Sequence, residues 1–379
     1  MSKLAQQYNQ YLAPEAIVWI NDEKLSKRNI FFNDLKVDMA LDGTDIFSFS
    51  IYDAINLEFE LKNADLFKVG NRVEIHIGYA DNTEEKANLP ILFEGVISAI
   101  TWSFSEDNYL DIVVEGKDYS FLLMKHKSSA EGKQLTWNDT KDSDIVEKIL
   151  NTTYSNIFSS SKVKIEKTAL THNQVYYKED NDYSFISTLA KKNGYEFFVQ
   201  KDKFYFRKAP KIQKDTTNIV LSYGKEILSF SLDYNIDKAV TKVKVVGLEF
   251  QNAKEKIVGE APKSSPLQKS AGTLGMKELL KTISNVEYEM KANVKSVDEA
   301  NTFAESKYGE LSSSLIQAQL RCIGIPELKP GINVQLKGLG ERFSTLYYVT
   351  KAVHTFNTQG YEVNMTLKSD ATMFNKVLS

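Results

Sequence analysis

The residues able to do chemistry are few, and their spacing does not assemble them into a reaction centre. Four histidines, His76, His126, His172 and His354, are scattered along the chain. None forms the His-x-x-x-His or His-Glu-x-x-His pattern that sets two ligands on one helix face. His76 and His354 lie in strand-like alternation and read as structural. Glu179, Asp180 and Asp182 are close enough in sequence to suggest paired acid–base chemistry. Their place at the start of a helical pattern is explained equally by capping and by the helix dipole. The single cysteine, Cys322, cannot form an internal disulfide and reads as a small buried hydrophobe beside Leu320. Gly338 and Gly340 lack a third glycine and a following helix, so a dinucleotide loop is rejected, and no Walker-type phosphate loop occurs. Catalysis, a cofactor and a bound metal are therefore not expected. Trp102 and Trp137 leave open a carbohydrate-binding reading, set against a packing role for each, with Trp137 read as beginning the helical region.

Composition narrows the class. A chain of 379 residues exceeds what one hydrophobic core usually organises. Hydrophobic residues make up 42% and charged residues 26%, a globular balance. Lys plus Arg total 47 against 50 Asp plus Glu. That balance disfavours a protein whose main task is neutralising phosphates, so neither nucleic-acid specificity nor an anionic membrane partner is expected. No apolar run approaches the roughly 20 residues that span a bilayer. The first residues lack a basic stretch followed by an apolar core, so a cytoplasmic product is expected.

The elements that would position these residues are mainly strands. Nineteen Tyr and 21 Phe against seven Pro favour β structure. Phe47, Phe49 and Ile51 alternate with Ser48 and Ser50, and strand runs follow at 69–78, 91–104 and 109–123, with turn signals at Asp81-Asn82 and at 106–108. The polar stretch 127–133 reads as a linker. Asp142 or Ser143 can cap a helix carrying Ile145, Val146, Ile149 and Leu150. Asp180 or Asn181 can cap a second with Phe185, Ile186, Leu189 and Ala190, closed by Gly194 in a left-handed conformation. A hairpin then runs from Tyr195 through Lys201-Asp202 to Arg207. Strand texture returns from Ile219, broken by an exposed-looking insertion from Gln251. Ser296 and Glu299 form a capping box before a helix near 297–312. Four strand patterns close the chain.

The first and last sections share an order of events. SFSI at 48–51 answers SFSL at 229–232, and the strand opened by Gly70 answers the one opened by Pro330-Gly331. The segments 93–104 and 347–356 match, as do the alternating runs after them, the second opened by Gly360-Tyr361. This predicts one chain carrying two copies of the same antiparallel barrel, so that three chains could present six similar barrels in a ring.

Two passages carry a family resemblance. In 176–210 an aromatic pair, Tyr176-Tyr177, and acidic residues precede a short helix with Phe185, then Gly194-Tyr195 and an aromatic hairpin. In 324–370 a Pro330-Gly331 turn leads to His354 and then Gly360-Tyr361. The chain resembles the baseplate hub proteins of contractile phage tails and related injection machines, the late control gene D family, which also forms the N-terminal part of VgrG proteins. The resemblance implies two tube-like β-barrel domains, 1–127 and 213–379, flanking a small α+β domain at 128–212, with an insertion at about 251–293. It implies a homotrimeric structural hub within a phage-like particle. Its partners would be a tail tube protein, a separate spike protein, and baseplate wedge or tape-measure components. The competing class is a tail-associated cell-wall hydrolase or carbohydrate-binding module.

Overall fold

The protein is described by a computed structural model covering residues 3–51, 63–80, 89–104, 110–128, 135–209, 219–235, 240–248, 256–261, 286–313 and 316–369. The turn signals at 81–82 and 106–108, most of the linker, Pro210 and much of 251–293 lie outside these residues. The chain is mainly β, with antiparallel pairing dominant.

After a short helix α1 (Lys3–Gln7), the first section contributes β1 (Pro14–Ile20), β2 (Glu23–Lys24), β3 (Phe32–Ala40), β4 (Ile46–Ile51), β5 (Arg72–Tyr79), β6 (Ile91–Phe104) and β7 (Leu110–Lys117). Period-two alternation decides which face is buried. Phe47, Phe49 and Ile51 point inward while Ser48 and Ser50 stay partly exposed, as read from the sequence.

The middle section holds α2 (Ser120–Lys125), β8 (Thr136–Lys141), α3 (Asp142–Thr153), β9 (Val163–Ile165), β10 (Thr171–Tyr176), α4 (Asp182–Asn193), β11 (Tyr195–Gln200) and β12 (Lys203–Lys208). These elements close over their own core, which includes Ile145, Leu150, Phe158, Phe185, Leu189, Phe204 and Phe206. Asn181 Oδ1 accepts the Ser184 N–H at 2.8 Å, and Gly194 ends α4 at φ 65°. Two local readings need correction. Lys141, not Asp142 or Ser143, occupies the cap of α3; both of the latter are buried in its first turn because their side chains serve tertiary partners. Trp137 lies on β8, where it stacks 5.6 Å from Phe185, and does not begin a helix.

The last section supplies β13 (Ile219–Ser222), β14 (Ile227–Tyr234), β15 (Lys242–Leu248), β16 (Lys256–Ala261), β17 (Glu287–Lys291), α5 (Val297–Ser313), β18 (Ile316–Ile323), β19 (Asn333–Lys337), α6 (Gly340–Phe343), β20 (Leu346–Asn357) and β21 (Gly360–Lys368). Within the insertion, the described residues 256–261 and 287–291 are strands. Strands β16, β15 and β17 form a separate sheet covered by α5, with Val243, Val245, Ala300 and Ala304 in a third core. The capping box is present in altered form. Ser296 Oγ accepts the Glu299 N–H, while Glu299 reaches back one residue further, to the Lys295 N–H.

The remaining strands make one 13-stranded sheet whose path runs β14-β18-β21-β20-β3-β4-β7-β6-β5-β1-β2, with β13 and β19 joined to β20. Among the described residues the path is open at both ends. Its core is continuous across the first and last sections, from Val18 and Phe47 to Tyr347 and Leu367.

Candidate functional site

The sheet is built from one plan used twice. The first section reads β3-β4-β7-β6-β5-β1 across the sheet, and the last reads β14-β18-β21-β20-β19-β13. Register agrees as well as order. The Gly70 N–H donates to the Ile97 carbonyl at 2.8 Å, and the Gly331 N–H donates to the Val349 carbonyl at 2.9 Å. The Ile97 N–H donates to Asn71 O, and the Val349 N–H to Ile332 O, both at 2.9 Å. Both glycines have positive φ, 94° and 87°, which a side chain would strain at this tight entry to a strand. Bulges fall at equivalent places, between Ile97 and Ala99 and between Val349 and Lys351. Beyond them, Trp102 opposes Ile112 as His354 opposes Val363. The halves depart at the edge, where β1 runs antiparallel to β5 but β13 runs parallel to β19, and in a bulge between Ile75 and His76 that β19–β20 lacks.

This register corrects one pairing inferred from sequence. SFSI at 48–51 lies on β4, whose counterpart is β18, while SFSL at 229–232 lies on β14, the counterpart of β3. Alternation recurs from strand to strand, so two nearly identical short strings match one strand out of step.

The two halves meet at a joint. The second half of β20 pairs with β3, setting Lys351 opposite Ala40, His354 opposite Val37 and Phe356 opposite Leu35. Translated through the repeat, the same joint has two open halves. Residues Ala99–Phe104 of β6 correspond to Lys351–Phe356, and among the described residues they pair only with β7. Strand β14 corresponds to β3, and among the described residues its stretch from Ser229 to Tyr234 pairs only with β18. Exposure follows. Trp102 is 50% exposed, whereas its counterpart His354 is 1% exposed in the closed joint. Phe230 and Leu232 are half-buried, whereas Leu35 and Val37 are fully buried.

The sequence-predicted motif residues fall into two groups. Gly70 and Gly331 anchor the equivalent strands. Pro330, His354, Gly360 and Tyr361 surround the closed joint: Pro330 is buried, and Gly360 turns the β20–β21 hairpin at φ 124°. His354 holds the Leu328 carbonyl through Nε2 at 2.8 Å and the Tyr361 hydroxyl through Nδ1 at 2.7 Å. Burial pushes its pKa down to about 3, so it stays neutral and structural. Tyr176, Tyr177, Phe185, Gly194 and Tyr195 belong to the middle unit. Tyr176 is partly exposed beneath the Lys295 ammonium, Tyr177 and Phe185 pack ring to ring at 4.5 Å, and the Tyr195 hydroxyl donates to Lys167 O.

Sequence reasoning missed the role of Asp182. Its carboxylate is fully buried and accepts from Tyr154 (2.6 Å), Tyr177 (2.7 Å), the Ser128 N–H (2.8 Å), Ser128 Oγ (2.9 Å) and His126 (3.1 Å). It staples the start of α4 to the chain leaving the first section. Glu179, by contrast, accepts from the Thr188 hydroxyl at 3.1 Å. Among the described residues no cluster of three or more His, Cys, Asp or Glu is arranged to hold a metal. Cys322 is buried, as the sequence suggested.

The middle unit is tied to the residues around the joint by hydrogen bonds. The Arg207 guanidinium donates to Gly331 O at 2.7 Å, the Tyr348 hydroxyl donates to Glu196 at 2.6 Å, and Tyr183 accepts the Gly43 N–H at 2.7 Å. Nearby, burial raises the pKa of both Asp45 and Asp118; Asp118 Oδ1 accepts from the Ser120 N–H and hydroxyl, and the Asp118 N–H donates to Asp45 O. A carboxyl that keeps its proton in the fold but loses it on unfolding makes stability fall as pH rises above the unfolded value. Asp118→Asn keeps an acceptor for the Ser120 N–H and removes the buried charge. Thermal melts of this variant should therefore show a higher Tm than the native chain at pH about 8, with little difference near pH about 4. A parallel pH profile for both proteins would contradict this.

Known structures share this fold at low identity. A 43 kDa tail protein of prophage MuSo2 from Shewanella oneidensis superposes with a TM-score of 0.69 at 11% identity, covering 95% of this chain and 99% of that one. A tail protein from Neisseria meningitidis gives 0.66 at 11%, covering 96% and 99%. An Escherichia coli protein described as a component of the type VI secretion system gives 0.55 at 12%, covering 89% and 73%. No curated protein matches the sequence. Residues 17–358 match the family described as the Alg8 N-terminal domain, and the chain belongs to that family.

Proposed function

We propose that the chain is a structural hub of a contractile tail or injection system, three copies of which form a ring that adapts a sixfold tube to a threefold spike. The observation that carries this reading is the repeated joint, closed once within the chain and, among the described residues, open at both remaining ends. A head-to-tail contact that reuses the internal joint adds copies in one rotational sense and closes if the rotation divides a full turn. Strand addition suits such a contact because backbone hydrogen bonds fix register while side chains fill pockets. In this reading Phe230–Tyr234 of one copy lie along Ile100–Phe104 of the next, burying Trp102 against Leu232 as His354 is buried against Val37. Each half then acts as one tube-like barrel completed by its neighbours. The similar structures are described as tail proteins and a secretion-system component, which supports a tail-assembly role.

The repeat fixes a register that can be tested. Ser103 and Ser231 correspond to Thr355 and Lys36, which oppose each other in the closed joint. Ser103→Cys with Ser231→Cys should oxidise to a ladder ending in a covalent trimer, both in particles and in concentrated protein. Cys322, being buried, should not contribute. Each single variant should stay uncross-linked. A chain that cross-links in neither setting, or equally well with Ser231→Cys replaced by Ser229→Cys, would sink the register and with it the ring.

A further inference from the structure

The contact between the middle unit and the insertion unit is polar, although each has an apolar core of its own. Lys295 Nζ donates to Gln174 O at 2.6 Å, Lys192 Nζ to Asn293 O at 3.5 Å, and Ser306 Oγ to Lys191 O. At its centre is His172, a β10 residue whose ring is largely buried. Nε2 lies 3.1 Å from Asp142 Oδ2 in the first turn of α3, and Nδ1 lies 3.9 Å from Glu299 Oε1 on α5. Asp142 also accepts from Asn193 at 2.7 Å, so its carboxylate is held in place.

The charged groups facing this ring come from three helices, while the paired strand β8 sets the uncharged Thr140 opposite it. They are Asp142 from α3, Lys192 from α4 and Glu299 from α5; Lys295 lines the same small cavity but is turned toward Gln174 and Tyr176. With a neutral imidazole, two carboxylates face one nearby ammonium, that of Lys192, 3.6 Å from Glu299. With imidazolium, the charges balance and one ring spans both units.

We propose that His172 is a proton-operated fastener, which when charged ties Asp142 of the middle unit to Glu299 of the insertion unit and when neutral loosens that grip. The sign follows from the surroundings. Its hydrogen bond to Asp142 and the charges of Asp142 and Glu299 outweigh burial and raise its pKa. A raised histidine pKa gives a contribution that is complete at low pH and lost as pH rises through the folded value. The proposal is independent of the ring reading, since both units belong to one chain.

The test is amide exchange over 293–299 in the full chain, corrected for intrinsic base catalysis, from pH about 6 to about 8.5. The native chain should lose protection there by about fivefold or more, the lower end of ordinary coupling between linked equilibria. His172→Gln should show the low protection throughout, while amides of Ile149 and Leu189 stay protected. Glu299→Gln gives the same reading from the other side if the first variant misfolds, and it should also lower the titration midpoint of His172 seen by NMR. Native-like pH dependence in either variant, or flat native protection while His172 titrates, overturns the proposal.

Discussion

Asp182→Ala is expected to destabilise the middle unit by about 3–5 kcal/mol, the cost of leaving buried partners of a lost carboxylate unpaired. Five donors converge on this side chain, and removing it takes away the buried carboxylate that accepts from Tyr154, Tyr177, His126 and both the N–H and the hydroxyl of Ser128. Asp182→Asn should cost less, because one oxygen remains. The effect is measurable by denaturant unfolding with Trp137 as the only tryptophan, in a chain carrying Trp19→Phe and Trp102→Phe. Acid should act in the same direction. Burial alone would raise the Asp182 pKa, but the hydrogen bonds from Tyr154, Ser128, Tyr177 and His126 outweigh it and hold it low. Its contribution is therefore present above the unfolded pKa and lost as pH falls through the folded one. A loss under about 1 kcal/mol for Asp182→Ala would show that the staple is decorative.

Gly259→Ala should have a comparable effect on the insertion unit, of about 3 kcal/mol, the upper end of overpacking costs. A Cβ there would sit 2.1 Å from the Ala300 carbonyl carbon and 2.3 Å from the Asn301 nitrogen. These are backbone atoms of α5, so no rotamer change relieves the clash, and the helix must lift from β16. Gly309→Ala in the same helix is the control. It meets nothing within 4 Å and should stabilise the helix by about 0.8–1 kcal/mol. Exchange protection along α5 separates the two outcomes; equal behaviour of the two variants would refute the close-approach account.

Local signals were legible wherever the deciding contacts are near in sequence. The inward face of 47–51, the αL end at Gly194, the hairpin around Lys201 and the box at Ser296 and Glu299 all followed from short-range geometry. The Gly70 and Gly331 match was legible because both positions require positive φ at a strand entry. The joint was not. Lys351 and Ala40 are far apart in the chain, and no local pattern marks an edge strand's partner. The run 242–248 has the same alternation as the large sheet yet belongs to another, because period two reports burial and not membership. Asp182 looked like a helix-start acid because its donors come from three separate segments.

The seam between β20 and β3 has a geometric corollary. It is held together by the polypeptide itself, at an effective concentration no free subunit could match. If the contacts between chains copy it, the rotation relating the two halves of a single molecule already sets the angle of every later step. The number of copies in the closed assembly is then written as an angle inside the monomer, and one sixth of a turn would make it three.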